Sequence, residues 1–316
     1  MEATLGPRVW AALVTVYVFW GSTYLAISYV VDSAPPFIGA GTRFLVAGLI
    51  MVGIVLVLRG RRALRATRAE LGTAALVGVL LLCGGNGVLA IGEQRVPSGL
   101  AALIIASVPL WIVVLRALLG DRPRLATVLG IVLGLAGVAV LLLPGGSVTG
   151  TSRGHALLIV GASVSWAIGS VLATRRPVPR DPLTLTAVEM LAGGAALFAV
   201  AAPLGEWSGF SLRQVHASAW VGTAYLIVFG SLVAFTAYVY VLGAAPVSLV
   251  STYAYVNPVI AVLLGVLIRH EPLTVTVVAG ALVIVAAVAL VVTEEGRSRA
   301  RAARSARRVE QVPDAA

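Results

Sequence analysis

Ten runs of about 20 apolar residues, separated by short polar segments, constrain this chain more than any other feature. A bilayer core of ~30 Å is crossed by about 20 residues of helix. The runs fall at Val9–Val30, Phe37–Leu58, Leu71–Ile91, Ser98–Leu118, Leu125–Leu143, His155–Thr174, Leu183–Ala202, Ala219–Val241, Val247–Ile268 and Leu273–Thr293. They are continuously apolar rather than alternating, which argues for helices and against a β-barrel. Only 11% of the residues are charged and 59% are hydrophobic, too little charge to cover a soluble domain. The expected fold is therefore an all-α integral membrane protein with ten transmembrane helices. The first run is too long for a signal-peptide core and lacks a clear cleavage site, so it is read as a helix. Proline precedes five of the runs, at Pro35-Pro36, Pro97, Pro182, Pro246 and Pro272, where a helix loses nothing to its missing N–H.

Charge sets the expected orientation. The net charge is +10, and all 23 basic residues are arginine. Eighteen lie on one set of alternate connecting segments, counting Arg116 at the end of its run, four (Arg95, Arg153, Arg213 and Arg269) lie on the other, and Arg43 lies deep within a run. The positive-inside rule then puts both termini, residues 1–8 and the basic tail 294–316, in the cytoplasm, with the chain in the cell's inner membrane. The tail is polar and rich in Arg and Ala, expected as a frayed helix end or disordered. Arginines sorted in this way orient helices in a bilayer, and a nucleic-acid partner is not implied. The single cysteine, Cys83, excludes an intrachain disulfide.

The chain also repeats itself. Pro97, Pro109 and Pro123 recur as Pro246, Pro258 and Pro272, each 149 positions later. Trp20 matches Trp166 at a spacing of 146, and Arg43-Phe-Leu-Val-Ala-Gly48 aligns with Glu189-Met-Leu-Ala-Gly-Gly194. The halves, residues 9–143 and 155–293, each hold five runs. An odd number makes the second half enter the membrane from the opposite side, the inverted duplication of many secondary transporters.

Four segments carry a more specific likeness. Phe19-Trp-Gly-Ser-Thr-Tyr-Leu-Ala26, Pro35-Pro36 with Arg43-Phe44, Gly92-Glu-Gln-Arg-Val-Pro-Ser-Gly-Leu100 and Ser251-Thr-Tyr-Ala-Tyr-Val-Asn-Pro-Val259 resemble the EamA family of the drug/metabolite transporter superfamily. The resemblance spans roughly residues 9–293. It implies ten helices in two EamA repeats and export of amino acids, metabolites or drugs. In one departure, Glu189 stands where the family more often has a neutral polar residue.

The residues expected to carry transport fall at matching depths. Pro109 and Pro258 are each twelfth in their runs, where a proline removes a helix bond and frees the carbonyl four residues earlier. Trp20, Trp166 and Trp111 lie away from the interfacial belts where tryptophan collects. Tyr24 follows Trp20 by four residues, Asn257 follows Tyr253 by four, and each pair shares a helix face. With Ser22 and Asn86 they make the expected substrate wall, apolar with a few hydrogen-bonding groups, suited to a small amphipathic solute.

Arg43 and Glu189 are the ionisable residues inside the runs, at equivalent places on opposite halves of the bilayer, so a direct pair is not assumed. An intramembrane charge costs ~2.5–3.5 kcal/mol on insertion scales, which makes function the default reading. Arg43 is open to holding a substrate carboxylate or organising external carbonyls, Glu189 to carrying a proton or making a structural hydrogen bond, and Glu93 to forming an outer gate or, with more weight, an interfacial cap. Gly130, Gly134 and Gly137 suit close helix packing, with a homodimer as their other use.

The expected function is a secondary transporter exporting a small metabolite by alternating access, coupled to protons or uncoupled. The alternative is a membrane-embedded enzyme or a receptor. No run holds the His/Glu or paired-Asp constellation of a membrane enzyme, and no metal or other cofactor is implied.

Overall fold

The computed structural model describes residues 6–142 and 152–310, with the side chains of all but 247, 248 and 298–310. Leu143, residues 1–5 and residues 311–316 lie outside the described set. Every regular element is helical: α1 Pro7–Val31, α2 Pro36–Leu58, α3 Arg68–Glu93, α4 Ser98–Leu118, α5 Leu125–Leu142, α6 Arg153–Arg175, α7 Pro182–Ala201, α8 Ala217–Ala244, α9 Val247–Val250 with Tyr253–Arg269, and α10 Val275–Glu310. Among the described residues, nine helices are long and apolar enough to cross a membrane. The tenth, Tyr253–Arg269, falls short because α9 is broken near its start.

Local chemistry sets the helix starts. Pro36 and Pro182 open α2 and α7, and the Asp181 carboxylate accepts the Thr184 N–H at 2.9 Å. Thr67 and Glu70 form a capping box at α3, satisfying two of the N–H groups that every helix start leaves free. At the other terminus α10 continues as helix to Glu310, well past the expected end at Thr293. The tail's Ala, Arg and Glu are strong helix formers and prolong the span instead of fraying it.

Four spans depart from regular α-helix, and the departures recur. A π segment, Val79–Gly87, interrupts α3, and another, Leu226–Val233, interrupts α8; their starts are 147 residues apart. In α4 the helix breaks at Ala106-Ser107, and Pro109 falls in the first turn of the second piece. The Ser107 hydroxyl donates to the Ile104 carbonyl at 2.6 Å. In α9 the break comes earlier, at Ser251-Thr252. Pro258 lies inside the helix that follows, and the Thr252 hydroxyl donates to the Leu249 carbonyl. At each break the same residue's N–H and hydroxyl both bond the carbonyl three residues earlier, which keeps it satisfied as a membrane core requires.

The principal helix contacts join the two halves. α2 packs along α7 and α5 along α10, while α1 gathers α8 and α9 as α6 gathers α3 and α4. Adding five to each helix number, counting round from ten to one, maps this set of pairs onto itself. Glycines set the closest approaches. A Cβ on Gly48 would lie 3.0 Å from the Leu191 side chain, and one on Gly194 would lie 2.8 Å from Leu45. Gly130, Gly134 and Gly137 face Val291, Ala287 and Ile284, so the small-residue stripe of α5 is occupied within the chain by α10.

Connecting segments meet at two ends. At one, here the Asp32 end, Arg269 holds Asp32 through bonds of 2.9 and 3.2 Å. The Glu206 carboxylate accepts the N–H groups of Phe37 and Ile38, and Glu271 reaches Ser98 and Gly99. At the opposite, Asp121 end, Arg116 bonds Asp121 at 2.8 Å, and Arg175 approaches the same carboxylate at 3.6 Å. Thr184 bonds the Ala63 carbonyl there at 3.1 Å.

Candidate functional site

Two groups of side chains meet on the π segment of α8. The first is aromatic. Tyr17 and Trp20 lie three residues apart on α1 and share a face. The Trp20 indole N–H donates to the Gly230 carbonyl at 3.2 Å. Its ring centroid lies 4.9 Å from Tyr238 and 5.2 Å from Tyr253, the latter edge-on. Tyr238 and Tyr253 meet edge-on at 5.7 Å, and Tyr17 exchanges a hydrogen bond with Thr252 at the α9 break. Gly21 lets the helices come this close: a Cβ there would sit 2.8 Å from Ile260 and 3.2 Å from the Asn257 carbonyl.

The second group surrounds Arg43, which is 7% exposed. Its Nε donates to the Ser231 hydroxyl at 3.0 Å, and its guanidinium lies 4.5 Å over the Phe44 ring. Arg43 and Asn86 line one cleft between α1, α2, α3 and α8, walled by Ile27, Val30, Ala90 and Leu226. Gly230 and Ser231 are adjacent, so a single π segment holds both Trp20 and Arg43. Such segments expose backbone and re-aim side chains, and they cluster at functional sites.

The other expected site residues lie as follows. Ser22 turns toward α8, donating to the Phe19 carbonyl at 3.1 Å and lying 2.6 Å from the Tyr225 hydroxyl. Tyr24 packs on the large core cluster of α1, α4 and α10. Trp166 belongs to the α6–α3 contact, where a Cβ on Gly85 would fall 2.8 Å from its ring. Each matched tryptophan therefore docks on a π segment of the other half, and the two are held by different helices. Among the described residues, Trp111 Nε1, Asn257 Oδ1 and both Glu93 carboxylate oxygens are buried without a hydrogen-bond partner. Glu189 is half-buried, with its backbone against Gly78.

Sequence reasoning passed over Tyr17, Tyr238, Ser231 and Glu271. Tyr17 was discoverable from its spacing to Trp20, and Glu271 from its place beside Pro272. Ser231 and Tyr238 carry no local signal, because their roles depend on which helices meet. Among the described residues no three of His, Cys, Asp and Glu come together as a metal site would require.

The EamA-like transporter family model matches residues 9–143 and 154–293. The chain is 41% identical over 84% of each sequence to the uncharacterized inner membrane transporter YedA of Escherichia coli K12. It is 29% identical, over 94% of its own length and 96% of the relative's, to the uncharacterized transporter YvbV of Bacillus subtilis. A solved crystal structure superposes with a TM-score of 0.62 at 23% identity, over 89% of this chain and 95% of that one, a likeness of fold alone. With two consecutive family matches over an all-helical, multi-pass body, this chain is a membrane transporter homologue and belongs to the EamA family.

Proposed function

We propose that the chain is a secondary transporter of the inner membrane that exports a small amphipathic solute by alternating access, with both termini in the cytoplasm. The observation that carries the reading is the contact pattern that maps onto itself when five is added to each helix number. Five helices per half, related in this way, describe an inverted repeat, whose two arrangements open to opposite faces.

Contacts gather α1 with α8 and α9, and α6 with α3 and α4, while α3 also packs along α7; on this reading the moving bodies draw helices from both halves. α2 with α7 and α5 with α10 flank them. The bundles meet where α4 crosses α9. There the first piece of α4, Ser98–Ile105, packs on Tyr253–Arg269, while its second piece, Val108–Leu118, packs on α6 and α10. At the Asp32 end, connecting segments are tied together through Arg269 with Asp32 and Glu271 with Ser98. By the arginine count the Asp121 end is the cytoplasmic one.

The test is counterflow in proteoliposomes with labelled amino acids and small metabolites. Saturable uptake driven by unlabelled internal solute supports the carrier; the absence of flux across a broad panel, or product turnover without flux, removes it.

A further inference from the structure

Arg43 is buried within a span, and no side chain answers its charge. Among the described residues no carboxylate lies within ion-pair distance of its guanidinium. Glu93 shares a face of α3 with Asn86 and Ala90, yet the charges that act on it are those of Glu271 and Arg269. Glu189, the counterpart of Arg43 in the other half, is out of reach. α2 and α7 run antiparallel, with Gly48 against Leu191 and Gly194 against Leu45. This register places Glu189 level with Ile50, so ~10 Å of helix separates the two charges. The guanidinium itself is held in place. Nε donates to the Ser231 hydroxyl at 3.0 Å, the Phe44 ring lies 4.5 Å away, and a Cβ on Gly230 would stand 3.3 Å from Nη2. The terminal nitrogens make no hydrogen bond among the described residues, and Arg43 lines the cleft together with Asn86. That cleft has room for about one or two waters.

We propose that the cleft at Arg43 is a halide site, which takes a single chloride ion as the counter-ion of the guanidinium. A cation in a span is costly while it stands alone, and an anion in contact with it lowers that cost. The size of the space decides which anion. A space of about one or two waters is too small for an organic acid or sulfate, whereas chloride is only slightly larger than water. A monatomic anion also accepts N–H bonds from any direction, so the donors need not form a fork. Besides the terminal nitrogens of Arg43, Asn86 is at hand. Its amide makes one long bond, 3.4 Å to the Leu81 carbonyl, and keeps a second N–H for the ion. The walls at Ile27, Val30, Ala90 and Leu226 are apolar. They favour a weakly hydrated halide over fluoride, whose hydration so few donors cannot replace. Helices α1, α2 and α3 of the first half and α8 of the second surround the ion, so chloride ties the α8 π segment to its neighbours. The site needs no solute flux, and its failure leaves the transport reading intact.

The experiment uses the full chain in detergent micelles. Thermal unfolding is followed as sodium chloride replaces sodium gluconate at constant ionic strength, which holds screening fixed. The expected result is a saturable rise in Tm of about 2 °C or more, reproduced by bromide and absent with fluoride or sulfate. Arg43→Gln removes the dependence, and so does Ala40→Leu, which fills the cleft and leaves the guanidinium in place. A Tm indifferent to chloride, a rise that sulfate reproduces, or a dependence that survives in both variants overturns the proposal. Crystals of the parent soaked in bromide need no variant, so a misfolded Arg43→Gln does not blunt the test. Anomalous density within hydrogen-bond distance of the Arg43 terminal nitrogens supports the site, and water alone at that place overturns it.

Discussion

Glu271→Gln opens the Asp32 end without touching the aromatic cluster or the Arg43 cleft. The Ser98 N–H and hydroxyl donate to Glu271 Oε1 at 2.8 and 2.7 Å, and the Gly99 N–H donates to Oε2 at 3.0 Å. A carboxylate from the α9–α10 connection thereby caps the first turn of α4, just where α4 crosses α9. Gly99 makes the crossing tight, since a Cβ there would stand 3.0 Å from the Val262 backbone. Glutamine retains one acceptor oxygen but turns an NH2 toward a backbone donor and removes the charge. Ser98 is 1% exposed, so water does not replace the lost bond while the end is closed. The cost to the closed arrangement is about 1.5–3 kcal/mol. In an open arrangement water satisfies these donors, so the closed-to-open ratio falls by about tenfold or more.

The assay is the rate at which a membrane-impermeant maleimide labels Val262→Cys in a Cys83→Ser background. Glu271→Gln is expected to speed labelling from the Asp32 end about tenfold. Glu206→Gln is the control. Glu206 accepts the Phe37 N–H at 3.2 and 3.1 Å and the Ile38 N–H at 3.0 Å, capping α2 with the same kind of bond, but it joins no bundle to the other. It should lower stability by a similar ~1.5–3 kcal/mol and leave the Val262→Cys rate alone. A Glu271→Gln rate within about twofold of the parent, or equal acceleration by both variants, would show that the cap supports helices without holding the end shut.

Three further outcomes are expected. Gly134→Leu overpacks the contact of α5 with α4 and α10, where a Cβ would lie 2.4 Å from Leu110 and 3.1 Å from Ala287; it should destabilise the protein by ~1–3 kcal/mol in denaturation and leave its oligomeric state unchanged in light scattering. Trp20→Phe removes the bond to the Gly230 carbonyl and should lower counterflow several-fold while reducing stability by only ~1 kcal/mol; unchanged flux would place the aromatic cluster outside the substrate path. Glu189→Gln should abolish accumulation driven by a pH gradient and spare solute exchange, and driven accumulation that persists in this variant removes the proton role.

The helices were legible because a membrane span is a local property: twenty apolar residues and a proline at the start identify one without knowledge of its neighbours. The duplication was legible for a similar reason, since prolines 149 apart can be counted. How the halves interleave was not. Gly48 meets Leu191 and Gly130 meets Val291, contacts across more than a hundred residues that no periodicity encodes. The same limit divides the site. Trp20, Tyr253, Arg43 and Asn86 stood out as polar or aromatic residues in apolar runs, whereas Ser231 and Tyr238 matter only because α8 lies against α1 and α2. Symmetry in sequence also did not carry over into pairing. Arg43 and Glu189 occupy equivalent positions with opposite charges, yet antiparallel packing of α2 on α7 separates them along the axis, and Arg43 bonds a serine of the other half's π segment. An inverted repeat duplicates positions, while each copy faces the partner half from its own side of the membrane. A charge placed in one copy is therefore answered by different groups from those its counterpart meets. At Arg43 that answer is the Ser231 hydroxyl and the Phe44 ring, and no carboxylate among the described residues.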